Sequence, residues 1–579
     1  MKQLPIFLLI ILISSVIPAF AQTGDHVPTL VPPTLVPTQD AGMRDALLSE
    51  SAVARIQADS QLRVGILFNA PPFGLLNIRG AVAGFDADLM RSMADAWGVE
   101  AEFVQVTRQT ALDMLLSGEV DLLAAAMVHQ RELDMRVEFS HTYYQGSQAV
   151  MVRNDDGAET LAQMADRKLG VVLGTASTSA VEAWKSRTGH QVTVESYMTL
   201  EQGLVALVNQ DIDGLVGSRY RLRTITQPPG VVRIIEEPLA IEPYAVAMRR
   251  QDVPLRNLVN RTLQYLAQNG RLNEIYGANF PGSTYPAGLV PTWENLGEDA
   301  PTLEGVPTNI VYPTQYVIPR LQDGQPLRVA GLRDVPDDAP ESEKRLHALN
   351  QAVIERLAAR WGASVEFVPN SADNALELVA NGQADVAVGV RPDWNRAERV
   401  EFSSPYLVHG DRLMVKRNSE IESFNELRGG RWVGIFASEP GTADQVNELA
   451  KSINTAVNIY TMMREQDVPF YILEDSNADV AFGDSLKLIP HLEAYPEDFR
   501  LTTRCPNCDP WYTREYVALA TAQNDLDFWL LVEYTLQEMA EDGSLATLLQ
   551  PVMLPEDVPQ FNIWPGPASY LGFNLRAGQ

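Results

Sequence analysis

Hydrophobic positions along the chain follow two different spacings. Short β-branched runs such as "LRVGIL", which begins at Leu62, predict strands, whereas "AGFDADLMRSMADAWGV" has apolar residues at helical spacing. "EAEFVQV" is again a predicted strand, "TALDMLLSG" is a predicted helix that ends at Gly118, and "VDLLAAAM" is a predicted buried strand. This rhythm predicts an α/β fold with a mostly parallel sheet covered by helices on both faces. Sheets of this type bind ligands beyond the carboxyl ends of their strands.

The same pattern occurs twice along the chain. "LRVGILF" at Leu62 corresponds to "LRVAGLR" at Leu327, and the pentapeptide "RVEFS" occurs at Arg136–Ser140 and again at Arg399–Ser403. Further pairs of segments match in the same order, which indicates a duplicated body rather than chance identity. Within the first copy, "LGVVLG" at Leu169 begins a second alternating series, so each copy is expected to have two α/β lobes.

Proline-rich segments separate the parts of the chain. "HVPTLVPPTLVPTQD" cannot form a packed core and predicts an extended spacer, and a second such stretch lies between the copies. The predicted organisation is a signal peptide at 1–21, a Pro/Thr-rich spacer at 22–58, the first copy at 59–282, a Pro-rich linker at 283–325, the second copy at 326–553 and a C-terminal tail at 554–579.

The N-terminus has the pattern of a secretory signal. A positive start at Lys2 precedes an apolar run at Leu4–Ile17, and small residues follow at Ala19 and Ala21. The apolar run is short for a membrane span and Pro18 interrupts it, so cleavage after Ala21 is favoured over a retained anchor. The chain is therefore expected to be secreted or otherwise extracytoplasmic.

Composition narrows the possible partners. The formal net charge of −29 argues against nucleic acid and against an anionic membrane surface, because both need a basic face on the protein. The two cysteines, Cys505 and Cys508 in "RCPNCDP", are expected to form a small disulfide in an exported chain, since a zinc site would need two more ligands and no histidine lies nearby. No cofactor is expected.

The ordered motifs resemble the extracellular solute-binding proteins of family 3, the group typified by periplasmic receptors for polar amino acids. The landmarks in the first copy are "LRVG", "PPFG", "GFDADL", "LLSGEVDLL", "VEFSHTYY", "KLGVVLGT", "LVNQDIDGLVG" and "NGRLNEIYG". The resemblance implies two tandem periplasmic-binding-protein-like (type II) clamshells, each of two α/β lobes joined by two crossover segments. In the first copy the crossovers are expected near Ala149–Asn154 and Ile241–Ala247.

The resemblance also implies a pair of charged ligand-binding residues. In the family, an arginine six residues before the Phe of "FS" binds the ligand carboxylate, and an aspartate of the second lobe binds its ammonium. The second copy has Arg396 and Asp484 at these positions. The first copy has Leu133 and Ser218 instead. A role for the nearby Arg131 as a substitute is less expected than a solvated surface position.

Several other residues are candidates for the ligand-binding clefts. Phe73 and Phe85 would line the cleft of the first copy, and Tyr143 would flank a ligand or pack beside a crossover. Thr175 would bind an anion at a helix start or serve as an ordinary N-cap. Trp394 would be a stacking surface or a packing residue. The remaining candidates are Tyr406 and Ser438 of the second copy.

We find no nucleophile elbow, no H-E-x-x-H, no metal-ligand cluster and no phosphate-binding glycine loop in the sequence. The leading interpretation is a secreted, non-catalytic solute-binding protein that binds a small polar solute, an amino acid or related compound. It would deliver the solute to a membrane transporter permease or report it to a sensor. The alternatives are an enzyme on the same fold, such as a dehydratase, or a duplicated scaffold that has lost small-molecule binding.

Overall fold

The structure, a computed structural model, describes residues 48–225, 230–371, 374–439, 441–474, 477–502, 510–559 and 561–576. The predicted signal peptide, most of the predicted spacer and the predicted disulfide between Cys505 and Cys508 lie outside these ranges. Within them, no helix combines the length and the apolar character that a membrane crossing requires. Both copies belong to one unit that begins at Leu48.

The first lobe of the first copy has a five-stranded sheet with the order β5-β1-β6-β14-β7 and a small β2-β3-β4 sheet beside it. Strands β1, β5 and β6 are parallel, whereas β14 is antiparallel to β6 and β7. The elements are α1 (Ala52–Asp59), β1 (Gln61–Leu67), β2 (Asn69–Ala70), β3 (Gly74–Leu76), β4 (Val82–Ala83), α2 (Phe85–Trp97), β5 (Glu100–Val106), α3 (Ala111–Leu116), β6 (Leu122–Leu123), β7 (Val137–Phe139), β14 (Ala247–Arg249), α7 (Val253–Gln268) and α8 (Arg271–Asn279).

The second lobe of the first copy has the strand order β10-β9-β11-β8-β12, with β13 paired to β8. Its elements are β8 (Tyr144–Arg153), β9 (Lys168–Val172), α4 (Ser177–Thr188), β10 (Thr193–Tyr197), α5 (Leu200–Val208), β11 (Gly214–Ser218), α6 (Arg219–Thr224), β12 (Val232–Ile234) and β13 (Ala240–Tyr244).

The second copy repeats both sheets in the same order, β16-β15-β17-β25-β18 and β22-β21-β23-β20-β24. Its elements, together with those of the chain after it, are α9 (Val317–Gln322), β15 (Leu327–Ala330), α10 (Glu341–Trp361), β16 (Val365–Phe367), α11 (Ala375–Ala380), β17 (Val386–Val390), β18 (Val400–Phe402), β19 (Leu407–His409), β20 (Asp411–Lys416), β21 (Trp432–Phe436), α12 (Thr442–Ser452), β22 (Asn458–Met462), β23 (Val480–Asp484), α13 (Ser485–Ala494), β24 (Phe499–Leu501), β25 (Glu515–Ala522), α14 (Leu526–Glu541), α15 (Ser544–Leu549), β26 (Ser569–Tyr570) and β27 (Phe573–Asn574).

Each copy therefore has two α/β lobes joined by two crossover segments, as the sequence predicts. The sheets are mixed rather than mostly parallel, because the strand that returns from the second lobe enters the first-lobe sheet from the opposite end. The first crossover of the first copy also lies earlier than predicted. In the first copy β8 pairs with β13 over residues 144–148 and 240–244, whereas Ala149–Arg153 already belongs to the second-lobe sheet.

A helix precedes the first strand of each copy. Helix α1 lies in the predicted spacer except for Asp59, helix α9 lies in the predicted linker, and each binds a buried aspartate of the copy that follows it. Arg55 of α1 donates to Asp121 at 2.8 Å, and Arg320 of α9 donates to both oxygens of Asp385 at 2.6 and 2.7 Å. Because a buried carboxylate needs such partners, these helices are parts of the copies.

The described part of the predicted C-terminal tail is packed against both copies. Trp564 is buried beside the first copy, and its ring stacks on His129 at 3.7 Å between ring centroids. Tyr570 and Leu575 are buried in the core of the second copy. Apolar side chains at these positions bury surface that a free tail would leave in water.

One buried arginine lies between the two copies. Arg256 of α7 binds Glu138 of the first copy through one end of its guanidinium and Glu401 of the second copy through the other. All three side chains are at most 6% exposed. Glu138 and Glu401 are the glutamates of the two "RVEFS" segments, so the repeated pentapeptide places equivalent carboxylates on either side of a single cation. Trp529 of α14, the counterpart of Arg256, lies 5.8 Å from the guanidinium.

The segments that follow each copy pack on the opposite copy. Gln264 of α7 accepts hydrogen bonds from the Trp293 backbone in the linker and from the Trp394 indole of the second copy, both at 2.9 Å. Gln537 of α14 accepts from the Trp564 backbone in the tail at 2.9 Å and from Arg131 of the first copy at 3.2 Å. The two contacts have the same pattern with the copies exchanged.

Arg131 and Trp394 thus occupy equivalent interface positions; Trp394 is a packing residue, one of its two predicted roles, whereas Arg131 differs from its prediction. Arg131 is buried instead of lying solvated at the surface, with its guanidinium 4.8 Å from the Tyr534 ring. Trp394 lies 6.0 Å from the Arg261 guanidinium and 4.5 Å from the Trp293 ring. Around the Tyr534 ring, the interface therefore takes its cation, Arg131, from a loop. Around the Trp394 ring, it takes its cation, Arg261, from helix α7.

We expect Arg256→Met to lower the free energy of unfolding by about 3–5 kcal/mol, because two buried carboxylates lose their shared cation. Adding Glu138→Gln and Glu401→Gln should recover most of that loss. The exposed Arg271, which pairs with Glu274 on the same helix, provides the matched control Arg271→Met, with an expected effect within about 0.5 kcal/mol. Denaturant unfolding curves measure the free energy of unfolding of both variants. A loss in Arg256→Met that is no larger than the loss in Arg271→Met contradicts the prediction.

Candidate functional site

The crossover strands β19 and β25 of the second copy, together with the end of β23, form what we call the hinge of this copy. It brings together titratable residues from these three strands. Asp484 ends β23 and accepts hydrogen bonds from His409 Nδ1 at 2.7 Å and from the Leu486 backbone at 2.9 Å. Burial by itself would raise the pKa of Asp484, but the hydrogen bond and charge of His409 outweigh it and hold that pKa below its usual value. Glu515 of β25 lies on the other side of the imidazole, 3.8 Å from its Nε2.

Two more carboxylates lie beside Asp484. Glu439 accepts from the Asp484 backbone at 3.3 Å and pairs with Lys487 at 2.8 Å. Asp411 is the register partner of Asp484 in the second-lobe sheet. Burial, together with the charges of Glu439 and Asp484, raises the pKa of Asp411 to about 6 although Thr513 donates a hydrogen bond to it.

The charge of this hinge is unbalanced. Asp411, Glu439, Asp484 and Glu515 supply four carboxylates, of which Glu439 pairs with Lys487 and Glu515 pairs with Arg391 of the first lobe. A region with this excess of negative charge attracts a cationic group.

A metal ion is one cation that the hinge could hold. Ligand atoms of His409, Asp484 and Glu515 lie within 4.8 Å of one another, a nitrogen and two oxygens of the kind that zinc accepts. In this arrangement, however, His409 is hydrogen-bonded directly to Asp484, and Arg391 already binds Glu515. A metal ion would have to displace both contacts.

The structure does not bring Arg396 and Asp484 together. The Arg396 guanidinium is about half exposed and lies 3.3 Å from Glu377 of α11, while Asp484 is bound to His409. The reason is the loop that contains Arg396. Trp394, two residues earlier, is buried in the interface between the copies, and this fixes the loop so that Arg396 points towards α11.

The other candidates of the second copy have structural partners. Tyr406 is fully buried, donates to Asn350 at 2.6 Å and accepts from the Gly389 backbone at 3.1 Å. Ser438 accepts from Lys487 at 2.9 Å, so it lies at the edge of the charged hinge.

The aromatic candidates of the first copy lie in one dense cluster. Phe73 is stacked on Tyr244, with ring centroids 4.9 Å apart and planes 5° from parallel. Phe85 is fully buried, and its ring centroid lies 5.3 Å from that of Phe280. Tyr143 is also fully buried, where packing rather than an open cleft surrounds its ring. These side chains form a packed aromatic wall that is part of the first-lobe core.

The second-lobe candidates of the first copy lie at strand ends. Thr175 is exposed, donates to the Val172 carbonyl at 2.7 Å and accepts from the Ser177 backbone at 3.3 Å, so it organises a turn. Ser218 precedes α6 but its side chain does not cap that helix. Its register partner in β8 is Gln148, which donates to Glu242 at 2.8 Å.

The residues that dominate both hinges were not among the candidates predicted from the sequence. His409 and Asp411 correspond to Gly146 and Gln148, so a histidine and an aspartate in "VHGDRL" replace a glycine and a glutamine in "QGSQAV". This difference between otherwise matching segments was the available signal. Glu242 had no such signal, because only the pairing of β13 with β8 shows that it faces the crossover.

Comparison with known proteins gives consistent matches. The family described as bacterial extracellular solute-binding proteins, family 3, matches residues 62–282 and 342–553. A glutamine-binding protein of an ABC transporter from Bacillus subtilis is 25% identical over 39% of this chain and 84% of its own length. An L-arginine-binding protein from Pseudomonas aeruginosa is 24% identical over 41% of this chain and 95% of its own length.

A probable histidine-binding protein from Campylobacter jejuni is 28% identical over 30% of this chain and 67% of its own length. Among solved structures, an ancestral arginine-binding protein bound to arginine is 29% identical and covers 38% of this chain and 98% of that chain, with a TM-score of 0.32.

Asp86 provides a pH-dependent prediction for the aromatic wall. It is fully buried, and Tyr143 donates a hydrogen bond to it at 2.7 Å. Burial raises the pKa of Asp86 to about 6, although the hydrogen bond from Tyr143 lowers that pKa. A raised pKa in the folded state favours the protonated form, so this group lowers stability as the pH rises from about 4 to about 6.

Asp86→Asn should therefore gain stability relative to the wild type over that pH range, by up to about 3 kcal/mol. The measurement is the difference between the two melting temperatures at several pH values. Asn350 at the equivalent position of the second copy indicates that an amide is tolerated beside the tyrosine. A difference that does not change with pH contradicts the assignment.

Proposed function

Since the chain belongs to the bacterial extracellular solute-binding proteins of family 3, we propose that it is a secreted, non-catalytic receptor whose second copy binds a small polar solute with a cationic group. The observation on which this proposal depends is the excess of carboxylates at the hinge of the second copy. Closure of two lobes around a solute would exclude water there and strengthen each charged hydrogen bond.

Asp484 is the proposed acceptor for the solute's ammonium or guanidinium. In the present arrangement His409 donates to this carboxylate at 2.7 Å, so the imidazole occupies the place that a solute cation would take. The neighbouring Glu439 and Asp411 would add attraction for the same group. Relatives named for arginine and histidine bind solutes of this chemical kind, which supports the proposal.

Arg396 stays the proposed partner for a solute carboxylate. Its guanidinium would have to leave Glu377, an exposed partner at 3.3 Å. Exposed ion pairs of this kind contribute about 0–1 kcal/mol, so a bound carboxylate could compete for the arginine. The solute would then be delivered to a membrane transporter permease or reported to a sensor.

Isothermal titration of the full chain with the proteinogenic amino acids tests the ammonium site. Asp484→Asn should weaken binding at the second copy by at least about tenfold, because an amide does not replace a charge-assisted acceptor. Glu448→Gln removes one carboxylate from an exposed pair with Lys451 in the same lobe and should leave affinity unchanged. Equal affinities in Asp484→Asn and wild type contradict the site.

A second variant tests the carboxylate partner separately. Arg396→Ala should weaken the binding of amino acids by at least about tenfold. It should not change the affinity for ethanolamine, which has an ammonium and no carboxylate. The same loss for both compounds would point to a damaged loop instead. No loss for either would remove Arg396 from the site.

A further inference from the structure

The first copy has a buried carboxylate with only one of its oxygens bound. Glu242 lies in β13, one of the two crossover strands, and is 6% exposed. Its Oε1 accepts from Gln148, whereas its Oε2 has no hydrogen-bond partner in the described part of the chain. A charged oxygen that is buried without a donor costs free energy, so this position calls for an explanation.

The equivalent glutamate of the second copy, Glu515, also has an Oε2 without a hydrogen-bond partner in the described chain, but that oxygen is ion-paired with Arg391 and lies 3.8 Å from His409 Nε2. Glu242 is the register partner of Gly146, and Glu515 is the register partner of His409. The second copy therefore supplies an imidazole of its own at the crossover, and the first copy supplies none. Tyrosine rings lie against the glycine instead, since a Cβ at Gly146 would come within 2.9 Å of the Tyr244 ring.

Glu242 also lies next to the position of the missing acid. Gln148, which donates to it, is the register partner of Ser218. The corresponding pair in the second copy is Asp411 with Asp484. The Glu242 carboxylate consequently stands beside the strand end where the second copy has its proposed ammonium acceptor.

The surroundings of Glu242 suit an organic cation. Tyr144 and Tyr244 lie beside it, with ring centroids 5.1 Å apart, and Tyr220 of the second lobe reaches the same aromatic cluster through Phe280 at 5.5 Å. Burial raises the pKa of Glu242, and the Gln148 hydrogen bond and the charge of the exposed Arg108 oppose that rise. Rings of this type stabilise a cation over their faces.

We propose that Glu242 is the acid of a second solute site, in the first copy, where its Oε2 binds the primary ammonium of a small amine. The proposal rests on the proposed function, because it assumes that solutes enter clefts between the lobes. A primary ammonium has the N–H donors that Oε2 lacks, and the tyrosine rings would contact its carbon chain. The two copies would then hold ammonium groups with different acids.

Titration of the full chain separates the two sites. The variants are Asp484→Asn, which weakens the second copy, and Asp484→Asn combined with Glu242→Gln. The probes are the proteinogenic amino acids, ethanolamine and its trimethylated counterpart choline. Asp484→Asn should retain one binding event for a primary amine, and adding Glu242→Gln should weaken that event by at least about tenfold. Choline should bind at least about tenfold more weakly than ethanolamine, because it has no N–H donor.

Three controls test the specific role of the carboxylate. Glutamine at position 242 can still accept from Gln148, so an unchanged melting temperature would show that the fold is retained. Glu195→Gln removes an exposed carboxylate of the same lobe and should leave binding unchanged. Ser218→Asp, which restores an acid at the strand end, should rescue amine binding in the Glu242→Gln background.

The outcomes distinguish this proposal from the proposed function. Loss of all binding in Asp484→Asn alone, with a single event in the wild type, would retain the function and reject the first-copy site. Unchanged binding after Glu242→Gln would also reject it. A wild-type chain that binds none of the probes would reject both proposals.

Discussion

The two copies are held together by a charge balance in which two acids share one base. Duplication of the "RVEFS" segment placed a glutamate at the same edge position of each copy, and the facing of these edges buries Glu138 and Glu401 near each other. Two like charges can be buried together only if a cation lies between them, and Arg256 provides it. If the two copies were identical, this interface would contain two arginines or none. The second copy has Trp529 at the position of Arg256, so one arginine lies between the two glutamates. The interface thus requires the copies to differ.

The need for the copies to differ explains why the segments before the two "RVEFS" motifs are not alike, which differences between ligand-binding clefts did not explain. The segments before the two "RVEFS" motifs differ because Arg131 and Trp394 pack on opposite helices with exchanged partners. The lobes and the duplication were predictable from periodicity and ordered motifs, since both are encoded by local patterns. The interface was not, because it depends on residues hundreds of positions apart. Arg396 illustrates the difference: its sequence position matches the motif, but its direction is set by Trp394 in the contact between copies.

Comparison of the hinges shows how one backbone can support different electrostatic solutions. Both copies have a glutamate at the same crossover position, Glu242 and Glu515. In the second copy, Arg391 binds that acid and His409 lies beside it, and three further carboxylates stand nearby. In the first copy glycine and tyrosine rings replace the histidine. Substitution at two or three hinge positions therefore changes the local charge without altering the strand order, which is the same in both copies.

The exchange of the linker and the tail between copies has a consequence for biosynthesis. The ring of His129 and the backbone of Arg131 belong to the first copy, yet they are covered by Trp564 and Pro565 near the end of the chain. The ribosome makes these residues after both copies, so this surface of the first copy stays uncovered until they emerge. The first domain to be synthesised is thus completed by residues that follow the second.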